Sequence, residues 1–282
     1  MDAFDACVPF VGHRGEVELD MSSFPTHSHD FVELVLVEGG RGMHIAGDDR
    51  HELTAGDVFV VQGEMAHGFE DIHSLRLVNV MYAHSLLASA EGMLRRIPGY
   101  HALFVLEPQC RRSRGFTCRL RLGQGGLEHA SDLCRRMSEE FAARRCGYEA
   151  FIASTLLELA VFVSREYGQI ESAPARSLVR IGEVISHLQT HYAEPISLED
   201  LAELACVSKN TLLRRFREGT GESPIRYLLG VRVDRARQLL RRTDCSVTEV
   251  AFRVGFADSN YFSRRFRDLT GCSPREFRQQ NA

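Results

Sequence analysis

The chain contains a near-copy of part of itself. Asn210-Thr-Leu-Leu-Arg-Arg-Phe-Arg-Glu-Gly-Thr-Gly-Glu-Ser-Pro224 aligns with Asn260-Tyr-Phe-Ser-Arg-Arg-Phe-Arg-Asp-Leu-Thr-Gly-Cys-Ser-Pro274 at a fifty-residue offset. Upstream, Leu201-Ala202 answers Val250-Ala251, the offset slipping by one residue in the intervening turn. Two copies are too few for a solenoid, which needs three or more to bury a continuous core, so a paired unit is expected. Each copy has the grammar of a helix-turn-helix. In the first, Ser197 caps a helix with Asp200 at N3, Cys206-Val207 makes the turn, and Ser208 caps a second helix whose Leu212 and Phe216 face inward. In the second, Ser246 and Glu249 form a capping box, Gly255 turns, Asp258 caps, and Phe262 and Phe266 face inward. Both second helices end at Thr-Gly, with glycine suited to the left-handed position after a helix, and the Ser-Pro that follows starts another.

Between the copies, Ile225 to Arg241 reads as one helix, roughly 25 Å long at ~1.5 Å per residue. A rigid spacer of that size places two second helices near one turn of DNA apart, ~34 Å, so that both enter successive major grooves. Charge agrees with that use. Residues 196–282 carry 16 of the 34 Lys and Arg but 11 of the 38 Asp and Glu, leaving residues 1–195 net acidic. Arginine pairs bidentately with guanine and asparagine with adenine, so Asn210, Arg214, Asn260, Ser263 and Arg264 are the base-reading candidates. Arg217 and Arg267, one turn on, are assigned to phosphates. Lys209 and Ser259 open the two outward faces. Leu213 suits a thymine methyl, and Asp258 either accepts from a cytosine amino group or serves only as a cap.

Residues 178–280 resemble the DNA-binding domain of the AraC/XylS family. The second copy carries the resemblance, from Val247-Thr-Glu-Val-Ala-Phe-Arg-Val-Gly-Phe-Ala-Asp-Ser-Asn-Tyr-Phe-Ser-Arg-Arg-Phe-Arg267 to Gly271-x-Ser-Pro-x-x-Phe-Arg278. It implies a seven-helix module beginning with a helix over Leu178–Tyr192, double-stranded DNA as partner, a homodimer, activation through a contact with RNA polymerase, and no catalytic residues.

The first half reads differently. Phe31 to Val37, Val58 to Val61 and Leu75 to Tyr82 are strand-like, separated by turns at Gly47-Asp48-Asp49 and Ala55-Gly56-Asp57, a pattern that predicts a small barrel or jelly roll. His27-x-His29-x-x-x-Glu33 followed by Gly40 is similar to the first cupin motif. Gly56 with His67 is similar to the second, with departures at Gln62, Glu64 and Asp71. On an extended strand His27, His29 and Glu33 share one face. With His67 they make a three-histidine, one-carboxylate set. It has three uses: hydrogen-bonded pocket residues, direct recognition of an organic ligand such as a sugar, or a divalent metal of the Zn, Fe, Ni or Mn class. Phe24-Pro-Thr-His-Ser-His-Asp-Phe-Val-Glu-Leu-Val-Leu-Val-Glu-Gly-Gly-Arg-Gly-Met-His44 and Leu75-Arg-Leu-Val-Asn-Val-Met-Tyr82 resemble the L-rhamnose operon activators of the same family. That resemblance implies a small sugar effector such as L-rhamnose, with His29, Glu33, Arg41, His67 and Asn79 as its pocket.

From Gly126 to Tyr167 apolar residues recur at three and four, among them Leu127, Ala130, Leu133, Met137, Ile152, Leu156, Leu159 and Phe162. This stripe either packs on the barrel or joins two copies of the chain. The expected fold class is α+β and multidomain: a cupin-like β-barrel (jelly roll) over 1–105, a helical dimerisation or packing segment over 106–167, a linker over 168–177, and an all-α double helix-turn-helix domain over 178–282. Its first helix-turn-helix falls near 197–219, its spacer helix near 224–241 and its second helix-turn-helix near 246–269. No basic-then-apolar leader opens the sequence, and Phe151–Val163, the longest apolar stretch, carries Glu158 and is too short to span a bilayer. Eight cysteines stand singly, which predicts reduced thiols and a cytoplasmic protein. The alternatives are a metal-dependent cupin enzyme with an appended helix-turn-helix, and a metal- or redox-responsive sensor acting through thiols such as Cys110, Cys118, Cys134 and Cys146.

Overall fold

In the computed structural model, which describes residues 10–15, 23–63, 66–87, 90–114 and 119–280, the chain divides into two units, Met1–Gly182 and Glu183–Ala282. The first is built on an antiparallel sheet. Its strands are β1 (Phe10–Gly15), β2 (Ser23–His27), β3 (Val32–Ala46), β4 (Asp49–Thr54), β5 (Asp57–Val61), β6 (His67–Tyr82) and β7 (Leu120–Arg121). They run in the order β1-β6-β3-β5-β7, with β2 added to β6 and β4 to β3. Among the described residues this sheet is open, with free ends at β1 and β7, rather than the closed barrel the strand spacing predicts.

The long pair β3–β6 organises the unit. Its register slips between Val37 and Met43. Gly40, at φ +72°, sits in that slip, where a Cβ would fall 2.0 Å from the Ser74 carbonyl oxygen, so glycine alone lets the two strands pass. On the near side of the slip, Val32–Val37 is buried on both faces, which is why that strand is a nearly unbroken apolar run. Val32, Leu34 and Leu36 join Val58, Val60, Val78 and Val80 in a core shared with the helices. Val35, Val37, Phe59 and Val61 gather with Leu53, Phe69 and Leu75 in a second core on the other face.

Helix begins earlier than the expected boundary at 106. A 3₁₀ turn (His84–Leu87) leads to α1 (Glu91–Leu94) and α2 (Pro98–Tyr100), and a π-turn (His101–Leu106) runs into α3 (Glu107–Arg114). The apolar stripe then lies on α4 (Gln124–Ala143) and α5 (Tyr148–Gly168), and the structure spends it inside the unit: Ala130, Leu133, Met137, Ile152, Leu156 and Leu159 are all buried in the helix-side core. Phe151, at 37% exposed, is outside that stripe. The segment expected to be a linker is helical from Ala173, where α6 (Ala173–Thr190) starts.

The second unit is all-helical, with α7 (Leu198–Leu204), α8 (Lys209–Thr220), α9 (Pro224–Arg242), α10 (Val247–Arg253), α11 (Ser259–Thr270) and α12 (Pro274–Gln280). Every cap falls where local chemistry places it. Ser197 with Asp200 and Ser246 with Glu249 form complete capping boxes. Ser208 accepts from the Thr211 amide and Asp258 from the Tyr261 amide. Gly221 and Gly271 close α8 and α11 in the left-handed region, and Pro224 starts α9 at its first turn. No described helix is long and apolar enough to cross a membrane.

Candidate functional site

The repeat builds one candidate site, on the outward faces of α8 and α11. In α8, Leu212, Phe216 and Gly219 are buried, and the opposite side exposes Lys209, Asn210, Arg214 and Arg217, while Leu213 is half-buried. In α11, Phe262 and Phe266 are buried, and Asn260, Arg264 and Arg267 are exposed beside the half-buried Ser259 and Ser263. Ser263 Oγ donates to the Ser259 carbonyl at 2.9 Å, back along its own helix. Asp258 is exposed and accepts from the Tyr261 amide at 2.6 Å, so its capping role is realised. The structure therefore brings every base-reading and phosphate candidate of each copy to one helix face. It adds acids that sequence periodicity did not single out. Lys209 Nζ donates to Glu199 on α7, and Arg214 donates to Glu218 at 3.1 Å along α8. Among the described residues Arg264 and Arg267 form no ion pair.

A second candidate site lies on the sheet. His27 ends β2 opposite His67 on β6, and His29 follows in the connection to β3, where Glu33 stands. Glu33 Oε2 lies 3.1 Å from His29 Nε2 and 3.0 Å from His67 Nε2, with all three side chains 4% exposed or less. One ligand-capable atom from each of His27, His29, Glu33 and His67 falls within 4.8 Å of the others, so these four are the residues that could hold a metal. Burial pushes the Glu33 carboxyl up, but the hydrogen bonds from His29 and His67, with their charges, outweigh it and hold it at about 2. Burial, and then the neighbouring His67, lower the His27 pKa. Glu33 is thus a carboxylate whose partners are imidazoles, suited to hydroxyl groups, amines or a cation.

The remaining pocket candidates divide. Asn79 pairs with Val35 and so shares the sheet face of Glu33, with a buried amide oxygen that has no hydrogen-bond partner among the described residues. Arg41 is exposed on the slipped stretch of β3, opposite Thr54 and His73, and is not brought to the histidine cluster. Three buried residues of this unit were not singled out by the sequence. His44 is buried against the rings of Phe59 and Phe69, its ring centre 5.9 Å from that of His67. Burial, with Arg111 and His67 nearby, keeps its pKa well below the ordinary value. Arg111 reaches from α3 to the Val60 carbonyl and pairs with Glu107 at 2.7 Å, fully buried. In sequence that pair is an ordinary i,i+4 helix couple, with nothing to mark it as interior. Of the thiols, Cys134 is pushed by burial up to about 12, Cys146 is exposed, and Cys118, like Glu64 of the second motif, lies outside the described residues.

Comparison with known proteins agrees with this division. Residues 201–280 match a helix-turn-helix domain family, and residues 13–160 match the AraC-like ligand binding domain family. The HTH-type transcriptional activator RhaS of Escherichia fergusonii is 33% identical over 264 residues, covering 94% of this chain and 91% of that protein. The RhaS proteins of an Enterobacter species and of Citrobacter koseri are each 32% identical with the same coverage. The chain belongs to the AraC family of DNA-binding transcriptional regulators, an AraC-like ligand-binding domain joined to a helix-turn-helix domain.

Proposed function

We propose that this protein activates transcription of a sugar-catabolism operon in response to a small sugar, L-rhamnose being the first to test. The observation that carries this reading is the buried His29–Glu33–His67 group on the ligand-binding domain of a chain whose near-full-length relatives are RhaS activators. Sugar hydroxyls donate to a carboxylate and exchange hydrogen bonds with imidazole, so His29, Glu33 and His67 form the polar floor of the pocket, with Asn79 beside them on the same face and Arg41 left outside it. The domain assignment follows: residues 1–167 sense the effector and pack or dimerise, and residues 178–282 grip double-stranded DNA. Asn210, Arg214, Asn260, Ser263 and Arg264 read bases, with Lys209, Leu213, Asp258 and Ser259 beside them, while Arg217 and Arg267 hold phosphates. The protein acts as a homodimer and meets RNA polymerase at the promoter. The interior stripe of α4 and α5 is committed to the sheet, so the dimer contact falls on the outer faces of those helices, around Phe151.

The sugar acts by binding one arrangement of the dimer more tightly than another, since equal affinity for both shifts nothing. The test is a thermal-shift screen of monosaccharides on the full-length protein, followed by binding to a DNA site selected in vitro. L-rhamnose, or a close deoxy sugar, should raise the melting temperature and change DNA affinity, and Glu33→Gln should abolish both effects. A screen in which no sugar moves either quantity would overturn the sugar assignment.

A further inference from the structure

We propose that Lys209, on the reading that α8 faces DNA, is an acylation site through which an acyl phosphate weakens DNA binding. Of the 34 Lys and Arg residues of the chain, 33 are arginine and one, Lys209, is lysine. It opens α8, its side chain is 53% exposed, and it shares the outward face of Asn210, Arg214 and Arg217. The matching position of the second unit is Ser259. A side-chain amine therefore marks the outward face of α8, and α11 has none.

Chemistry separates this cation from the others. An arginine guanidinium stays protonated in proteins and offers no lone pair, whereas a lysine amine gives up a proton and then attacks acyl carbons. Neutral Nζ adds to the carbonyl carbon of the acyl phosphate, a C–N bond forms, and the C–O bond to phosphate breaks with its electron pair on the leaving oxygen. Of the three ammonium protons, one stays on the amide nitrogen, one goes to the departing phosphate and one to water. The product is an uncharged amide. Every other cation of α8 and α11 is arginine and keeps its charge.

The surroundings permit this change without loss of the fold. Lys209 pairs with Glu199 on α7, and both side chains are exposed, so the pair contributes little to stability. Its charge lies in the first turn of α8, the end at which the helix dipole disfavours a cation. Buried Leu212 and Phe216 hold the helix, and Ser208 caps it through the Thr211 amide, all without Nζ. Acylation thus removes one phosphate-facing charge and releases Glu199 from its ion pair, adding repulsion toward phosphate.

The experiment incubates the full-length protein with acetyl phosphate, maps the adduct by mass spectrometry, and measures affinity for the DNA site selected in vitro. Trypsin cuts after lysine but not after its amide, so the acetylated chain yields one peptide spanning 181–214 in place of two. The modified protein should bind about five- to ten-fold more weakly at ~0.1 M salt, with the salt slope reduced by about one. Lys209→Gln should reproduce that loss untreated. Lys209→Arg should bind like the parent and be indifferent to acetyl phosphate, and circular dichroism establishes that both variants are folded. No adduct at Lys209, an adduct without loss of affinity, or an equal loss in treated Lys209→Arg would overturn the site. Arg214→Ala in the same assay tests whether α8 faces DNA at all. If neither it nor acetylation alters affinity, that reading and the acylation site both fall; if Arg214→Ala weakens binding and acetylation does not, only the acylation site falls.

Discussion

Ser197 and Ser246 cap the first helices of the two helix-turn-helix units with the same box, and Gly221 and Gly271 close their second helices in the same left-handed conformation. Between those matched ends the units part. The turn of the first is made by Cys206, a non-glycine residue at φ +52°, and that of the second by Gly255 at φ +90°. The core of the second is a chain of rings, Phe256, Phe262, Phe266 and Phe277, with successive centres 5.1 to 5.6 Å apart. The first has Leu212 where the second has Phe262, and Phe216 meets Tyr227. The outward charges differ too: Lys209 and Arg214 of the first unit are held by Glu199 and Glu218, while Arg264 of the second faces solvent. Two copies of one plan can therefore be tuned separately, the second for a fixed turn and available arginines, the first for a strained turn and partly neutralised ones.

The sharpest way to break this comparison is at Gly255. A Cβ there would fall 2.8 Å from the Ala193 carbonyl oxygen, in a backbone conformation that side chains avoid. Strain of this kind and overpacking each cost about 1–3 kcal/mol, so Gly255→Ala should destabilise the second unit by on the order of 3 kcal/mol. Urea unfolding of the full chain measures the loss, and a change within error would remove the distinction between the turns. DNA affinity should fall with it, because α11 follows directly.

That turn also shows what a sequence exposes. The caps, the terminal glycines and the one-residue slip between the copies were legible because each is an interaction over three or four residues. The strands around Val32–Val37 and Val58–Val61 were legible as apolar runs. What the runs did not reveal was their partner. β3 and β6 pair residues as far apart in the chain as Val32 and Tyr82 through a slip at Gly40, and whether such a sheet stays open depends on those non-local ladders. The stripe on α4 and α5 was plain, but periodicity cannot say whether a sheet or a second chain covers it, and here the sheet does. His27, His29, Glu33 and His67 were found by type and spacing. Arg111 and Glu107 were not, since an interior ion pair and a surface one look alike in sequence.

The next effect concerns the arginines. Arg264→Ala should cost about 1–3 kcal/mol of DNA binding and relax specificity at one or two adjacent base pairs. Arg214→Ala should cost less, because the parent must first part Arg214 from Glu218, at 3.1 Å, before it can reach a base. Fluorescence anisotropy on the selected site and its single-base variants makes the comparison. Equal losses would mean that the ion pair does not hold Arg214 back. Arg217→Ala should weaken all sequences alike and reduce the salt slope by about one.

Smaller still is the gain expected from giving the first unit the second unit's turn. Cys206 occupies the position of Gly255 and is exposed. A left-handed conformation costs a non-glycine residue ~1–2 kcal/mol, part of which glycine returns as entropy in the unfolded chain. Cys206→Gly should therefore stabilise the first unit by at most about 1 kcal/mol, seen as a higher urea midpoint with an unchanged slope. A loss of stability would show that the Cys206 side chain supports the turn in a way its exposure does not suggest.

The finest test removes the acid instead of the base. Exposed i,i+4 pairs contribute about 0.3–0.5 kcal/mol, so Glu218→Gln should release Arg214 and tighten DNA binding by roughly two-fold, with a steeper salt dependence because one negative charge leaves the phosphate-facing side. The same change at the matching position of the second unit, Asp268→Asn, frees Arg265, which also leans on the Tyr261 hydroxyl and is not among the base-reading residues. It should affect the salt dependence alone. The decisive measurement is a double-mutant cycle. If Glu218 acts through Arg214, its replacement does nothing to affinity in an Arg214→Ala background at high salt. A gain that survives there would place the effect in the general field of the protein, and the two units would then differ in their turns and cores but not in how their arginines are held.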